Sequence, residues 1–201
     1  MRPSGRLFLA DGLEARIHLP LHCIVSMTII PTTRADHRIA WLAALAITIH
    51  IMESALPSPL PGVKPGLANV VTLVVLYRYG FRAAAWVSGL RVLAGSLLLG
   101  TFLSPAFVLS LAGAFCALLV LAPAAWMTCA APRWAPGPIG CGVLAAWAHM
   151  AGQFWVAYLL FVPHEGLFHL LPILLTVSLV FGVLSGTVAD VVIKRLEAAC
   201  A

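Results

Sequence analysis

PAFVLSLAGAFCALLVLAPAAWMTCA, residues 105–130, carries not one charged side chain. The hydrocarbon core of a bilayer, roughly 30 Å thick, needs about 20 such residues to be crossed by one helix. Further apolar runs lie at 39–56, 67–80, 82–100, 138–162 and 168–193, separated by short polar breaks. The run at 67–80 is short, spanning only roughly 21 Å at 1.5 Å per residue, so the irregular segment before it is expected to extend it. The pattern predicts an all-α integral membrane protein with about six transmembrane helices. One membrane domain is expected over 39–195, between an N-terminal tail of 1–38, read as disordered in part, and a short C-terminal tail of 196–201.

Composition agrees. Of 201 residues, 62% are hydrophobic and 9% charged, whereas soluble domains carry about a quarter charged. The formal net charge of +5 does not point to nucleic acid, because the Lys and Arg residues stand mostly at the ends of apolar runs rather than on one basic face. Cys23, Cys116, Cys129, Cys141 and Cys200 are scattered without a CxxC pair and read as small apolar fillers. His164, Glu165 and His169 do not fit HExxH, the histidines being five positions apart, so no metal site is expected there. No phosphate loop of the GxxxxGK[ST] type occurs, and no cofactor is expected.

The basic residues also set a topology. With the N-terminus inside, Arg2, Arg6, Arg16, Arg34, Arg38, Arg78, Arg82, Arg133, Lys194 and Arg195 fall on the cytoplasmic side, and the outer loops keep only Lys64. A multi-pass protein of a bacterial inner membrane with both termini cytoplasmic is expected. The tail has no apolar stretch long enough for a signal peptide or a span, and Met27 is a candidate alternative start.

Polar groups inside apolar runs need a reason, since a central Arg costs about 2.5–3.5 kcal/mol to insert. Arg91 lies mid-way along the third run; it reads either as an anion-binding residue or as half of a structural ion pair. His149 and Gln153, four apart on the fifth run, share a helical face, and Gln153 falls at the depth of Arg91. Their convergence would make a polar pocket; the plainer reading is hydrogen bonds that hold the bundle. On the first run Glu53 points away from Ala40 and Ala44, a small-xxx-small pair suited to a partner helix or to packing within the chain. The stretch PSPLPGVKPG, residues 57–66, holds four prolines that forbid a regular helix. Within it, Lys64 could pair with Glu53 or stay solvated. Asn69, near the start of the second run, is placed for an anion at a helix N-terminus or for capping. Asp190 and Lys194 are a plain i,i+4 pair.

The segment ESALPSPLPGVKPGLAN, residues 53–69, resembles the signature of the Gx transporter or heptaprenyl diphosphate synthase component I family. RVLAGSL (91–97), SLAG (110–113) and AHMAGQ (148–153) look like its later blocks. The resemblance covers nearly all of 40–190. It implies a bundle similar to the substrate-binding S components of energy-coupling factor transporters, with 57–66 as a lid and Ala40 and Ala44 facing a coupling subunit.

Two functions follow as expectations. In the first, the chain captures a small polar or anionic molecule from outside through Glu53, Lys64, Asn69, Arg91, His149 and Gln153, an ATPase-driven coupling module supplying the energy. In the second, it is a non-catalytic membrane subunit of a soluble prenyl diphosphate synthase, docked by Arg78, Arg82 and Arg133. Prenyl elongation needs clustered aspartates to hold Mg²⁺ against diphosphate, and Asp11, Asp36 and Asp190 are isolated. No catalytic residue is therefore expected, and the remaining partner is membrane lipid.

Overall fold

The computed structural model describes residues 33–55, 67–130 and 133–200. The N-terminal tail up to residue 32, the loop at 57–66 and Lys64 within it lie outside those residues.

Six α-helices make up the described chain: α1 Arg34–Ala55, α2 Leu67–Tyr79, α3 Phe81–Leu98, α4 Pro105–Ala130, α5 Pro138–Val156 and α6 Leu171–Cys200. Among the described residues there is no strand. Among the described residues three stretches are long and apolar enough to cross a membrane: Pro105–Thr128, Pro138–Phe161 and Glu165–Ala199. The chain is thus a helical multi-pass membrane protein. Two helices run beyond their apolar limits. α1 starts at Arg34, and α6 continues to Cys200, past the Asp190–Lys194 pair at 2.6 Å. Backbone hydrogen bonding carries a helix into polar sequence where hydropathy has already ended, so residues 34–38 and 196–200 are helical rather than tail.

Local chemistry sets the breaks. Gly80, at φ 87, is the single residue between α2 and α3; side chains other than glycine rarely enter that left-handed region. α3 ends in a Schellman motif, with Gly100 at φ 68, Gly100 N–H donating to Leu97 C=O (3.2 Å) and Thr101 N–H to Ser96 C=O (2.9 Å). Pro105 and Pro138 open α4 and α5, where a missing N–H costs nothing.

α2 is the axis of the bundle. Val70 through Leu76 are buried without interruption, as expected of a helix apolar all round, and α2 packs against α1, α3, α5 and α6. Its 13 residues are enough because protein surrounds it. At its C-terminal end the Tyr77 hydroxyl donates to Pro136 C=O (2.7 Å) and lies 3.2 Å from Cys141 Sγ.

Glycine lets α5 and α6 touch backbone to backbone. A Cβ on Gly142 would stand 2.6 Å from Gly182 O, and one on Gly186 would stand 2.6 Å from Ile139 Cα. Gly182 and Gly186 form a GxxxG pair, the spacing that brings membrane helices into close contact. The outer surface carries large apolar side chains, among them Trp86, Leu97, Phe115, Leu119 and Leu160. Such a surface suits lipid, not water. At the end of α5 and just after it, Phe154, Trp155, Tyr158 and Phe168 stack edge to face, an aromatic group of the kind that sits at a membrane interface.

Candidate functional site

All six helices contribute to one cavity of about 240 Å³. Glu53 comes from α1, Asn69 from α2, Arg91 from α3, and His149 and Gln153 from α5. The polar residues singled out in the sequence, Lys64 aside, therefore line one space.

Arg91 is its electrostatic centre. Its side chain is buried, and Nη1 donates to Asn69 Oδ1 at 3.0 Å. Asn69, the third residue of α2, thus faces the guanidinium. Glu53, also buried, lies within electrostatic range of Arg91. A buried cation with a nearby carboxylate and an amide acceptor is the combination that makes an intramembrane charge tolerable. Arg91 thus has a carboxylate nearby and also lines the cavity.

His149 is seated by a glycine. The imidazole hydrogen-bonds the Gly113 backbone, and a Cβ on Gly113 would come within 2.7 Å of Nε2. His50 has the same relation to Gly95, where a Cβ would meet its ring at 2.9 Å. These glycines stand in the RVLAGSL and SLAG blocks, so each block supplies the gap into which an imidazole fits.

Among the described residues, three buried side-chain atoms around this cavity have no hydrogen-bonding partner: Arg91 Nε, Thr72 Oγ1 and His149 Nδ1. Sequence reasoning missed Thr72, hidden in the apolar run NVVTLVV. Its signal was spacing, since it follows Asn69 by three positions and so shares its face. His50, three positions before Glu53, was discoverable in the same way.

A second cavity of about 290 Å³ adjoins the first and shares His50, Val92, Ala106 and Ser110 with it. Ser54, Ser96 and Thr101 add hydroxyl groups. It lies where α1 and α3 end and α4 begins.

Ala40 and Ala44 are exposed on α1 while Glu53 is buried, which is the division expected of that helix. Asp190 pairs with Lys194, and Asp36 is exposed in the first turn of α1. His164 caps the short helical turn Glu165–Leu170, its Nδ1 accepting from Gly166 N–H at 2.9 Å. Arg78, Arg82 and Arg133 are exposed. Among the described residues no three His, Cys, Asp or Glu side chains gather in a metal-binding arrangement.

The sequence model of the family described as heptaprenyl diphosphate synthase component I matches residues 42–192. No curated protein and no solved structure shows significant similarity to the chain.

Proposed function

Because the chain belongs to the heptaprenyl diphosphate synthase component I family, we propose that it is a membrane subunit that binds a small molecule by its polar group within its helical bundle and does no chemistry on it. The cavity around Arg91, lined by all six helices, carries this reading. Unpartnered polar atoms in a concave apolar site are the usual mark of a ligand pocket. The described lining offers one carboxylate, Glu53, whereas binding Mg²⁺ against a diphosphate takes several. The family description supports a setting in isoprenoid chain synthesis; in this reading a soluble prenyl diphosphate synthase is the catalytic partner, docked by Arg78, Arg82 and Arg133.

Transport is the second reading. It is favoured by the two sides of α1, with Glu53 turned to the cavity and Ala40 and Ala44 left exposed for a coupling subunit. In that setting the molecule enters from outside, and an ATPase pair drives its release.

Purification in mild detergent, followed by mass spectrometry of retained proteins and small molecules, separates these readings. A prenyl synthase partner supports the first, and an ATPase pair with a helical coupling protein supports the second. Arg91→Ala is expected to lose the retained molecule while still inserting. A molecule retained equally by that variant would remove the cavity from either account.

A further inference from the structure

The class of ligand follows from the atoms that wait for it, given that the Arg91 cavity is the binding site. Arg91 Nε, Thr72 Oγ1 and His149 Nδ1 stand on α3, α2 and α5, yet all belong to one lining. Arg91 and Thr72 are only 6% and 5% exposed. Native proteins leave few buried polar atoms unpaired, so three around one cavity describe the hydrogen bonds of an occupant.

Their chemistry is mixed. Arg91 Nε–H can only donate. His149 bonds Gly113 through Nε2, the nitrogen nearest that glycine. A mid-helix glycine has its N–H engaged in the helix and offers its carbonyl, so Nε2 carries the proton and Nδ1 of the neutral ring accepts. Thr72 does either. The occupant must therefore accept from Arg91 and donate to His149. An ionised diphosphate offers acceptors alone and would set its charge against the Nδ1 lone pair. It would also lack counter-charge, because the described lining holds one cation and one anion, Arg91 and Glu53, in electrostatic contact.

Away from these groups the lining is mostly apolar. From the level of Gly113, where His149 sits, it continues along α4 to Leu121, about 12 Å at the helical rise. Ala117, Leu118 and Leu121 of α4 face the space together with Ala145 of α5 and Phe181 of α6.

We propose that the ligand is an amphiphile whose uncharged head both donates and accepts hydrogen bonds at Thr72, Arg91 and His149, and whose hydrocarbon tail lies along α4 toward Leu121. A prenyl chain ending in a hydroxyl group has this form; the same chain ending in a diphosphate does not.

The test uses the full chain in detergent, with farnesol and farnesyl diphosphate as probes that differ only in the head, and native mass spectrometry as readout. Farnesol is expected to bind at least tenfold more tightly. Thr72→Val and His149→Leu should each weaken it about tenfold, and Ala117→Phe, which fills the tail channel, should weaken it at least as much. Leu118→Phe serves the same purpose should the first variant not fold. Equal or tighter binding of farnesyl diphosphate overturns the uncharged head, and farnesol binding indifferent to both channel variants overturns the tail. Failure of both probes alongside Arg91-dependent retention of a tail-less polar molecule overturns the amphiphile and leaves the binding site standing. If neither probe binds and retention ignores Arg91, the binding site itself falls.

Discussion

Arg91 and Asn69, separated by 22 positions in sequence, meet at 3.0 Å and join α3 to α2 inside the apolar bundle. A hydrogen bond to a charged group contributes about 1.5–3 kcal/mol. Asn69→Ala leaves the guanidinium without its amide acceptor and should destabilise the protein by about that amount, read as a lowered thermal midpoint in detergent. Asn69→Asp, which restores an acceptor, should recover much of the loss. Equal midpoints for the wild type and Asn69→Ala would show that the contact contributes no stability.

Gly113 holds His149 in place by having no side chain. Gly113→Ala puts a methyl group within 2.7 Å of the ring, an overpacking worth about 1–3 kcal/mol. Displacement of the imidazole relieves it, so the variant should lose ligand much as His149→Leu does while keeping most of its stability. Unchanged ligand retention would show that the position of His149 is immaterial to binding.

The α5–α6 contact is less forgiving. At Gly186 an added Cβ meets backbone at 2.6 Å, with no flexible side chain to yield. Gly186→Val should cost more than about 2 kcal/mol and lower the yield of monodisperse protein on size exclusion. Gly89, around which an added Cβ meets nothing within 4 Å, is the control, and Gly89→Ala should be neutral or mildly stabilising.

Orientation is open to thiol labelling in a background without native cysteines. Cysteines at Arg133 and Arg195 should react with a membrane-impermeant reagent only after cells are permeabilised, and one at His164 should react in intact cells. All three positions are exposed. The reverse pattern would invert the topology argued from the basic residues.

Helix number and approximate limits were legible in the sequence because apolar length is a one-dimensional property. So was the polar set Glu53, Asn69, Arg91, His149 and Gln153, each conspicuous against an apolar background. Their meeting in one cavity was not, since it depends on how each helix is rotated, and that rotation is set by packing. The GxxxG at 182–186 shows the same limit. Its spacing was visible, but not that its partner would be Gly142 and the start of α5. Thr72 escaped because a hydroxyl group barely lowers the hydropathy of a valine-rich run.

The enclosure of α2 bears on how the chain enters a bilayer. A helix of 13 residues, about 20 Å long, with its polar Asn69 paired only to Arg91 of α3, is a poor passenger in lipid by itself. The single residue Gly80 couples it to α3, so the two should leave the insertion machinery as one hairpin, with Arg78 and Arg82 held back at its bend. A nascent chain truncated after Tyr79 should be extracted from membranes by alkaline carbonate more readily than one ending beyond Leu98. The order of synthesis would then matter to this protein, its central helix waiting for the next to be made before it can settle.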